Sequence, residues 1–490
     1  MNTTPAAIAA LRSAVACPVL VVGDLGYERA RHVWNADIDR YPVAILRPTT
    51  AREVATGLVW ARDHGVGVTV RGGGHNLAGT AVADGALMID LRDLSSISYD
   101  HSAGTVTVGG GAALGDLDRA NAIQGVTVPA GTVSHTGVGG LTLGGGNGYL
   151  SRLHGMTVDH LRSVELVTAD GRILTASEHE NPDLFWALRG AGHNYGVATS
   201  FTFAYLPYLL TANVRQAFYA ADSRADVLQF FRDWSYDQAP DDVTTYARLV
   251  EAPPYWSALP VENRGKPVLS VATIHWGEPD AEQAATAPMF AQAKPIWETA
   301  YRLPHLELQH ACDDDFRHGL KHYWRAGNLV SFPDSAIDTA IEFSDSYPGR
   351  PLQASSTIAP HFTCPFQFFP RGGATGRVAP EATAVGERNS SKWVSTLGGE
   401  WEFDEEREPI VEWTRAFDAE MAQYKDGAYV NFVSDSGGAN TARWFYGDKF
   451  DRLVAVKRDV DPENVFRNGI VDLLADDEPE LTQAGQEANR

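Results

Sequence analysis

The chain has 490 residues, too many for one ordinary domain and enough for two or three at roughly 150 residues each. Its 62 acidic and 40 basic side chains leave a formal charge of −22. That balance argues against nucleic acid and anionic membrane surfaces as partners, since both need a basic face. Apolar residues at 44% and aromatics at 10% suit a globular core, and no apolar run nears the ~18 residues of a membrane helix. Cys17, Cys312 and Cys364 lie far apart, which supports neither a disulfide framework nor a cysteine zinc site. Met1 to Ala16 is alanine-rich but lacks a basic stretch leading into an apolar core, so a cytoplasmic enzyme is expected.

In chain order, Tyr41 to Leu46 reads as a strand that ends at Pro48. Thr50 and Glu53 have capping-box spacing, and Val54, Leu58 and Ala61 continue a helix on one face until Gly65. Val66 to Val70 alternates like a strand, which completes a β-α-β unit. Further strands are expected at Ala86–Asp90, Thr105–Val108 and Val164–Thr168. The last leads through the turn Ala169-Asp170-Gly171 into Arg172–Thr175. From Thr211 glycine thins and aromatics increase. There Val268–Ile274 and Trp393–Leu397 read as strands, and Asp280–Lys294 and Glu408–Tyr424 as helices. The expected plan is an N-terminal segment (1–38), a glycine-rich domain (39–210), a second domain (211–425), a C-terminal segment that returns to the first domain (426–475), and an acidic tail (476–490).

Glycine carries the most information. Of the 46 glycines, 19 fall within the 78 positions from Arg71 to Gly148, about three times the average usage of roughly 7%. One cluster, Arg71-Gly72-Gly73-Gly74-His75-Asn76, follows a strand directly. Glycines at a strand end let backbone N–H groups face an anion without obstruction, so a phosphate or diphosphate ligand is indicated. The second cluster runs from Gly137 through Gly139, Gly140, Gly144, Gly145 and Gly146 to Gly148. It fails the dinucleotide fingerprint G-x-G-x-x-G, because Thr142 and Tyr149 occupy the third-glycine positions. No Walker A sequence, G-x-S-x-G elbow or H-E-x-x-H helix is present. The spacing alone leaves open that these glycines only make tight turns.

The ordered set Arg71–Asn76, Thr136–Gly148, Gly192-His193-Asn194-Tyr195-Gly196-Val197, Tyr429-Val430-Asn431 and Asp461-Pro462-Glu463-Asn464-Val465-Phe466 resembles the berberine-bridge-enzyme-like FAD-linked oxidases. These have the vanillyl-alcohol-oxidase type fold with a PCMH-type FAD-binding domain. The match covers about Tyr41 to Tyr205 and Tyr429 to Asn468; from 211 to 425 only length and texture agree. The resemblance implies an α+β fold, with an FAD-binding domain and a substrate domain made of an antiparallel sheet with helices. Its implied cofactor-side residues are Arg71, Gly72, Gly73, Gly74, His75, Asn76, Gly79, Val133, Thr136, Gly137, Gly140, Gly144, Gly145, Gly146, Gly148, Gly196, Val197, Asn431 and Asn468.

Several roles follow from the resemblance. His75 takes the position of the histidine bonded to the flavin 8α carbon. Val133 stands where many relatives carry a second, cysteinyl attachment, so a single covalent bond is expected. Thr136 occupies a position that governs oxygen access, and its small branched side chain points to an oxidase. Tyr429 and Asn431 match a Y-x-N element, with Tyr429 as the expected proton acceptor. A free phenol has pKa ~10 and needs a cation or the flavin to serve as a base. The supporting lysine and glutamine positions align to Val394 and Thr396, which leaves the tyrosine without its lysine and makes Lys392 or Glu400 substitutes.

His135 is read as a loop-stabilising residue. No role is assigned to Tyr255-Trp256 or Tyr323-Trp324. The acidic clusters Asp313–Asp315 and Asp404–Glu406 are read as a solvated face or a helix start, so no metal is expected. The expected reaction is hydride transfer from an alcohol or amine carbon of a small molecule, a natural-product intermediate or sugar, to flavin N5, with O2 returned as hydrogen peroxide. A dehydrogenase with another acceptor and a non-catalytic flavin binder are the alternatives, and oligomeric state is left open.

Overall fold

Thr50 caps the helix as read, with Glu53 turned back onto Thr49. The Thr50 hydroxyl accepts the Glu53 N–H at 3.3 Å, and Glu53 in return accepts the Thr49 hydroxyl at 3.0 Å. The helix Ala51–Asp63 follows and buries Val54, Leu58 and Ala61. The computed structural model describes residues 4–207, 211–252, 254–350, 365–386, 388, 391–435 and 437–475. The acidic tail and Cys364 lie outside these residues.

That helix connects the parallel strands Ala44–Leu46 and Val68–Arg71, but they do not pair directly. Leu87–Asp90 lies between them and is parallel to both. Val19–Leu20 adds an antiparallel edge through Val19 and Leu46, and Trp60 donates its indole N–H to the Ala7 carbonyl at 2.9 Å. Of the described residues before 39, Ala7, Ile8, Leu11 and Val19 pack into this layer. A second, wholly antiparallel sheet has the order Ile97–Asp100, Thr105–Gly109, Val197–Ala204, Leu161–Val167, Ile173–Ser177.

Residues 211–401 supply a seven-stranded antiparallel sheet, ordered Trp297–Pro304, Thr211–Tyr219, Pro267–His275, Val243–Glu251, Phe366–Pro370, Trp393–Trp401, Lys321–Leu329. Strand side chains alternate between faces. Ala217, Leu249, Val271, Phe368 and Leu397 point to one face, where they pack with the helices Arg224–Asp237, Asp334–Asp345 and Arg407–Met421. Their neighbours Gln216, Arg248, Gln367 and Thr396 point to the other. The expected helix 280–294 ends earlier, at Phe290, and the last turn of the expected helix 408–424 tightens into the 3-10 segment Ala422–Tyr424.

The C-terminal segment returns to the glycine-rich half. Within the helix Phe450–Val460, buried Lys457 donates to the carbonyls of Asn194 at 2.7 Å and Phe466 at 3.0 Å and to the Asp461 carboxylate at 2.7 Å. Asn468 donates to the Val68 carbonyl at 3.0 Å. The fold is α+β in two layers, with the sheet's polar face turned toward the glycine loops.

Candidate active site

A cavity of about 360 Å³ lies between the glycine loops and the polar face of the seven-stranded sheet. Its glycine-side wall holds Gly72, Gly73, Gly74, His75 and Asn76 at the end of the strand Val68–Arg71. Val133, Thr136, Gly137 and Gly140 come from the second loop, and Gly196, Asn431 and Asn468 complete the wall. The two loops cross backbone to backbone. A Cβ on Gly73 would lie 2.2 Å from the Gly137 nitrogen, and one on Gly137 2.2 Å from the Gly73 nitrogen. Only glycine permits that approach.

His75 is partly buried, with the Trp34 ring stacked on it at 4.9 Å. Its Nε2 lies 2.6 Å from His135 Nδ1. Burial first, then the neighbouring His135, His318, His322 and Arg71, hold its pKa well below the ordinary histidine value. The imidazole is thus neutral at pH 7, which is the nucleophilic form. Two polar atoms in the cavity wall, Thr69 Oγ1 and His193 Nε2, are buried without a hydrogen-bond partner among the described residues. Groups of that kind await a ligand's polar atoms. The open face of Gly140, where a Cβ would meet nothing within 4 Å, leaves room for one. Together with the loop crossing, these features fit a dinucleotide-sized, anionic cofactor such as FAD.

Other residues expected at the cofactor lie behind the wall. Arg71 donates to the Ala30 carbonyl at 2.6 Å, and burial lowers its pKa to about 10. Gly79 packs on Ile38, Gly146 on Thr157 and Gly148 on the Ala130 carbonyl, each so closely that a Cβ would collide. Gly144 abuts Asn431, and Gly145 abuts Met156 and Tyr429. Val197 pairs with Val167 in the core. Their small size or apolar surface serves packing around the loops.

Tyr429 sits beside this glycine run. Its phenol oxygen accepts the Gly146 N–H at 2.8 Å and the Asn431 amide at 3.0 Å, and Asn431 also donates to the Leu141 carbonyl at 3.1 Å. The ring packs with Met156, Val158 and Val385, outside the main cavity, and burial raises the phenol pKa. Phenolate is disfavoured there, and the side chain pins the glycine run. Lys392 stands over the Tyr236 ring, at 5.3 Å, and Val394 joins the Tyr246 and Phe369 cluster. Thr396 and Glu400 do reach the cavity. Glu400 is only 6% exposed, its Oε2 3.6 Å from His322 Nδ1, and the His322 ring stacks on Trp34 at 4.1 Å.

Sequence reasoning missed Trp34, His318, Gln216, Tyr246, Arg248 and Gln367. The last four sit on strands with polar and apolar positions alternating, a signal available in the sequence but with nothing to say which face met the cofactor. Trp324 lines the cavity, whereas Trp256 packs on Phe218 and Trp297 away from it. The Asp313–Asp315 cluster is not a solvated face. Asp313 accepts the Ser134 N–H at 2.8 Å and hydroxyl at 2.5 Å, and His310 Nδ1 lies 2.7 Å from its carboxylate. Asp315 lines the cavity.

Comparison with known proteins agrees with this geometry. Residues 42–177 match the family described as FAD binding domain, and residues 428–469 the family described as berberine and berberine like. The chain is 31% identical to FAD-linked oxidoreductase OXR1 of Pyricularia oryzae, over 86% of this chain and 82% of that one. It is 27% identical to (R)-6-hydroxynicotine oxidase of Paenarthrobacter nicotinovorans, over 94% and 98%. The solved structure of BBE-like 1 from Physcomitrella patens superposes with a TM-score of 0.82 at 23% identity, covering 96% of this chain and all of that one. Among the described residues no helix is long and apolar enough to cross a membrane.

Proposed function

Because the chain belongs to the FAD-linked oxidoreductases with a berberine-like C-terminal segment, we propose that it oxidises an alcohol or amine carbon of a small molecule and passes the electrons to O2, giving hydrogen peroxide. The observation that carries this reading is the cavity itself, with a neutral His75 in the glycine wall and a carboxylate, Glu400, in the opposite wall. FAD bound there supplies a two-electron acceptor. His75 would hold the cofactor through its one available imidazole nitrogen, and Val133 would offer no second nucleophile. Thr136, in the wall, is small enough to leave a path for O2.

The protein's own groups supply proton handling and orientation. Glu400 takes the O–H or N–H proton as hydride leaves the adjacent carbon. Its Oε2 lies 3.6 Å from His322 Nδ1, which orients the carboxyl group in the wall. Gln216, Gln367 and Arg248 present hydrogen-bonding groups that orient the substrate, and Arg248 is tied to Gln367 Oε1 at 2.9 Å. Tyr429 and Asn431 hold the glycine run in register. An amine substrate is one natural candidate, since a relative's name places oxidation on a hydroxylated nicotine. The test is a screen of secondary alcohols, sugars and cyclic amines by peroxide release in air. Turnover that reduces the flavin anaerobically but yields no peroxide in air would replace the oxidase reading with a dehydrogenase. No flavin after reconstitution would end both.

A further inference from the structure

We propose that His75, His135 and His318 form a binding site for one divalent transition-metal ion of the zinc type. The three residues come from separate segments. His75 follows the strand Val68–Arg71, His135 lies in the second glycine loop, and His318 lies between the helix His305–His310 and the strand Lys321–Leu329. One ring nitrogen from each lies within 4.8 Å of the other two. Zinc–imidazole bonds of about 2.0–2.1 Å place tetrahedral ligand nitrogens about 3.3 Å apart. The 2.6 Å pair His75 Nε2 and His135 Nδ1 therefore has to open slightly, and the third ring has to close by up to about 1.5 Å. Rotation of an exposed side chain achieves the latter, and His318 is exposed. That exposure also gives an ion its way in.

Two further features suit a metal. His135 Nε2 faces the Asp313 carbonyl at 3.5 Å, the kind of outer contact that fixes which nitrogen a ligating histidine offers. Asp313 is itself held by Ser134 and His310. Three imidazoles leave a fourth position for water. The site also leaves the proposed flavin bond intact, because Nε2 of His75 faces His135 and Nδ1 remains for the flavin. A bound ion would join the glycine half, through His75 and His135, to the sheet half, through His318.

The experiment is equilibrium dialysis of the flavin-loaded protein against Zn2+, with flavin absorbance as the check on loading. Co2+ substitution, read at wavelengths beyond the flavin bands, reports tetrahedral geometry. We expect one Zn2+ per chain. His318→Ala and His135→Gln should each weaken binding at least tenfold, and the control His179→Ala, at an exposed histidine elsewhere, should not. Zn2+ should raise Tm in the wild type and in the control, and not in His318→Ala. Absence of saturable binding at one ion per chain overturns the site, and so does undiminished binding in both trio variants. Because His318 is a surface residue, a folding failure of its variant is not expected. Flavin content, read separately, distinguishes loss of the metal site from loss of the flavin reading.

Discussion

The two walls of the cavity follow different rules. The glycine wall is specified by what its residues lack. Gly73 and Gly137 bring two backbones into contact, and behind them Gly144 admits Asn431 where a Cβ would lie 2.2 Å from its Oδ1. Almost any substitution there collides, so the wall tolerates little change. The sheet wall is specified by what its residues project. Gln216, Arg248, Gln367 and Glu400 are polar positions on strands whose other face is held by packing against helices. Each can change without disturbing the strand, because the ladder hydrogen bonds are made by backbone. One wall is suited to holding a constant cofactor, and the other to varying a substrate.

That contrast can be tested, and the largest expected effect comes first. His75→Ala should abolish acid-stable flavin, taking it from about one per chain to none in a trichloroacetic acid pellet. Colour that stays in the pellet would place the attachment elsewhere. Glu400→Gln should lower kcat about 10²–10⁴-fold with flavin content unchanged, while Tyr429→Phe should cost about tenfold or less. Equal losses in the two variants would return the proton-acceptor role to Tyr429. Gly73→Ala should destabilise by about 1–3 kcal/mol in urea and reduce flavin loading, since the new methyl meets backbone with no side chain to move aside. Gln367→Leu should shift KM while leaving the denaturation midpoint close to wild type, and a large midpoint shift would erase the distinction between the walls.

The smallest effects lie at the seam between the halves, where two groups titrate in opposite senses. Asp118, 4% exposed and bonded to Gln309 at 3.2 Å, has its pKa raised to about 7 by burial. The folded state therefore binds the extra proton between about 4 and 7, so stability falls as pH rises across that window and levels off above 7. His305, 3% exposed, has its pKa lowered to about 4 by burial. Here the unfolded chain binds the extra proton below its ordinary value of about 6.5, so stability falls as pH drops from there toward 4. Across the shared window of about pH 4–7, Asp118→Asn should remove the fall with rising pH and His305→Gln the fall with dropping pH, each by roughly 1–2 kcal/mol in urea-unfolding stability measured against pH. Unchanged profiles would mean that these sites stay hydrated.

The readable half of the molecule is the one where local chemistry dictates the backbone. The Thr50 cap, the strand ending in Gly72–Gly74 and the second glycine run all form where their residues indicate. Trp34 and His318 escaped because their roles arise from stacking and convergence across hundreds of residues, with no local pattern. The Y-x-N spacing puts Tyr429 beside the glycine run and leaves its role open. A Y-x-N spacing says that two side chains share a side, and only the packing of Met156 and Val385 shows which way the phenol faces. Leu87–Asp90 entered between two strands that the β-α-β pattern had left adjacent, a choice made by long-range pairing.

The return of the C-terminal segment also bears on how the protein is made. Asn468 reaches the carbonyl of Val68, and Lys457 ties Asn194 to Phe466, so the glycine layer is closed by residues about 400 positions downstream of where it begins. A ribosome that has released the whole glycine-rich domain still holds the residues that complete it. Between those two moments the nascent chain exposes an unfinished apolar layer, which makes it a client for chaperones. A stop codon at any point before 457 would remove these closing contacts and leave a truncated product open to proteolysis.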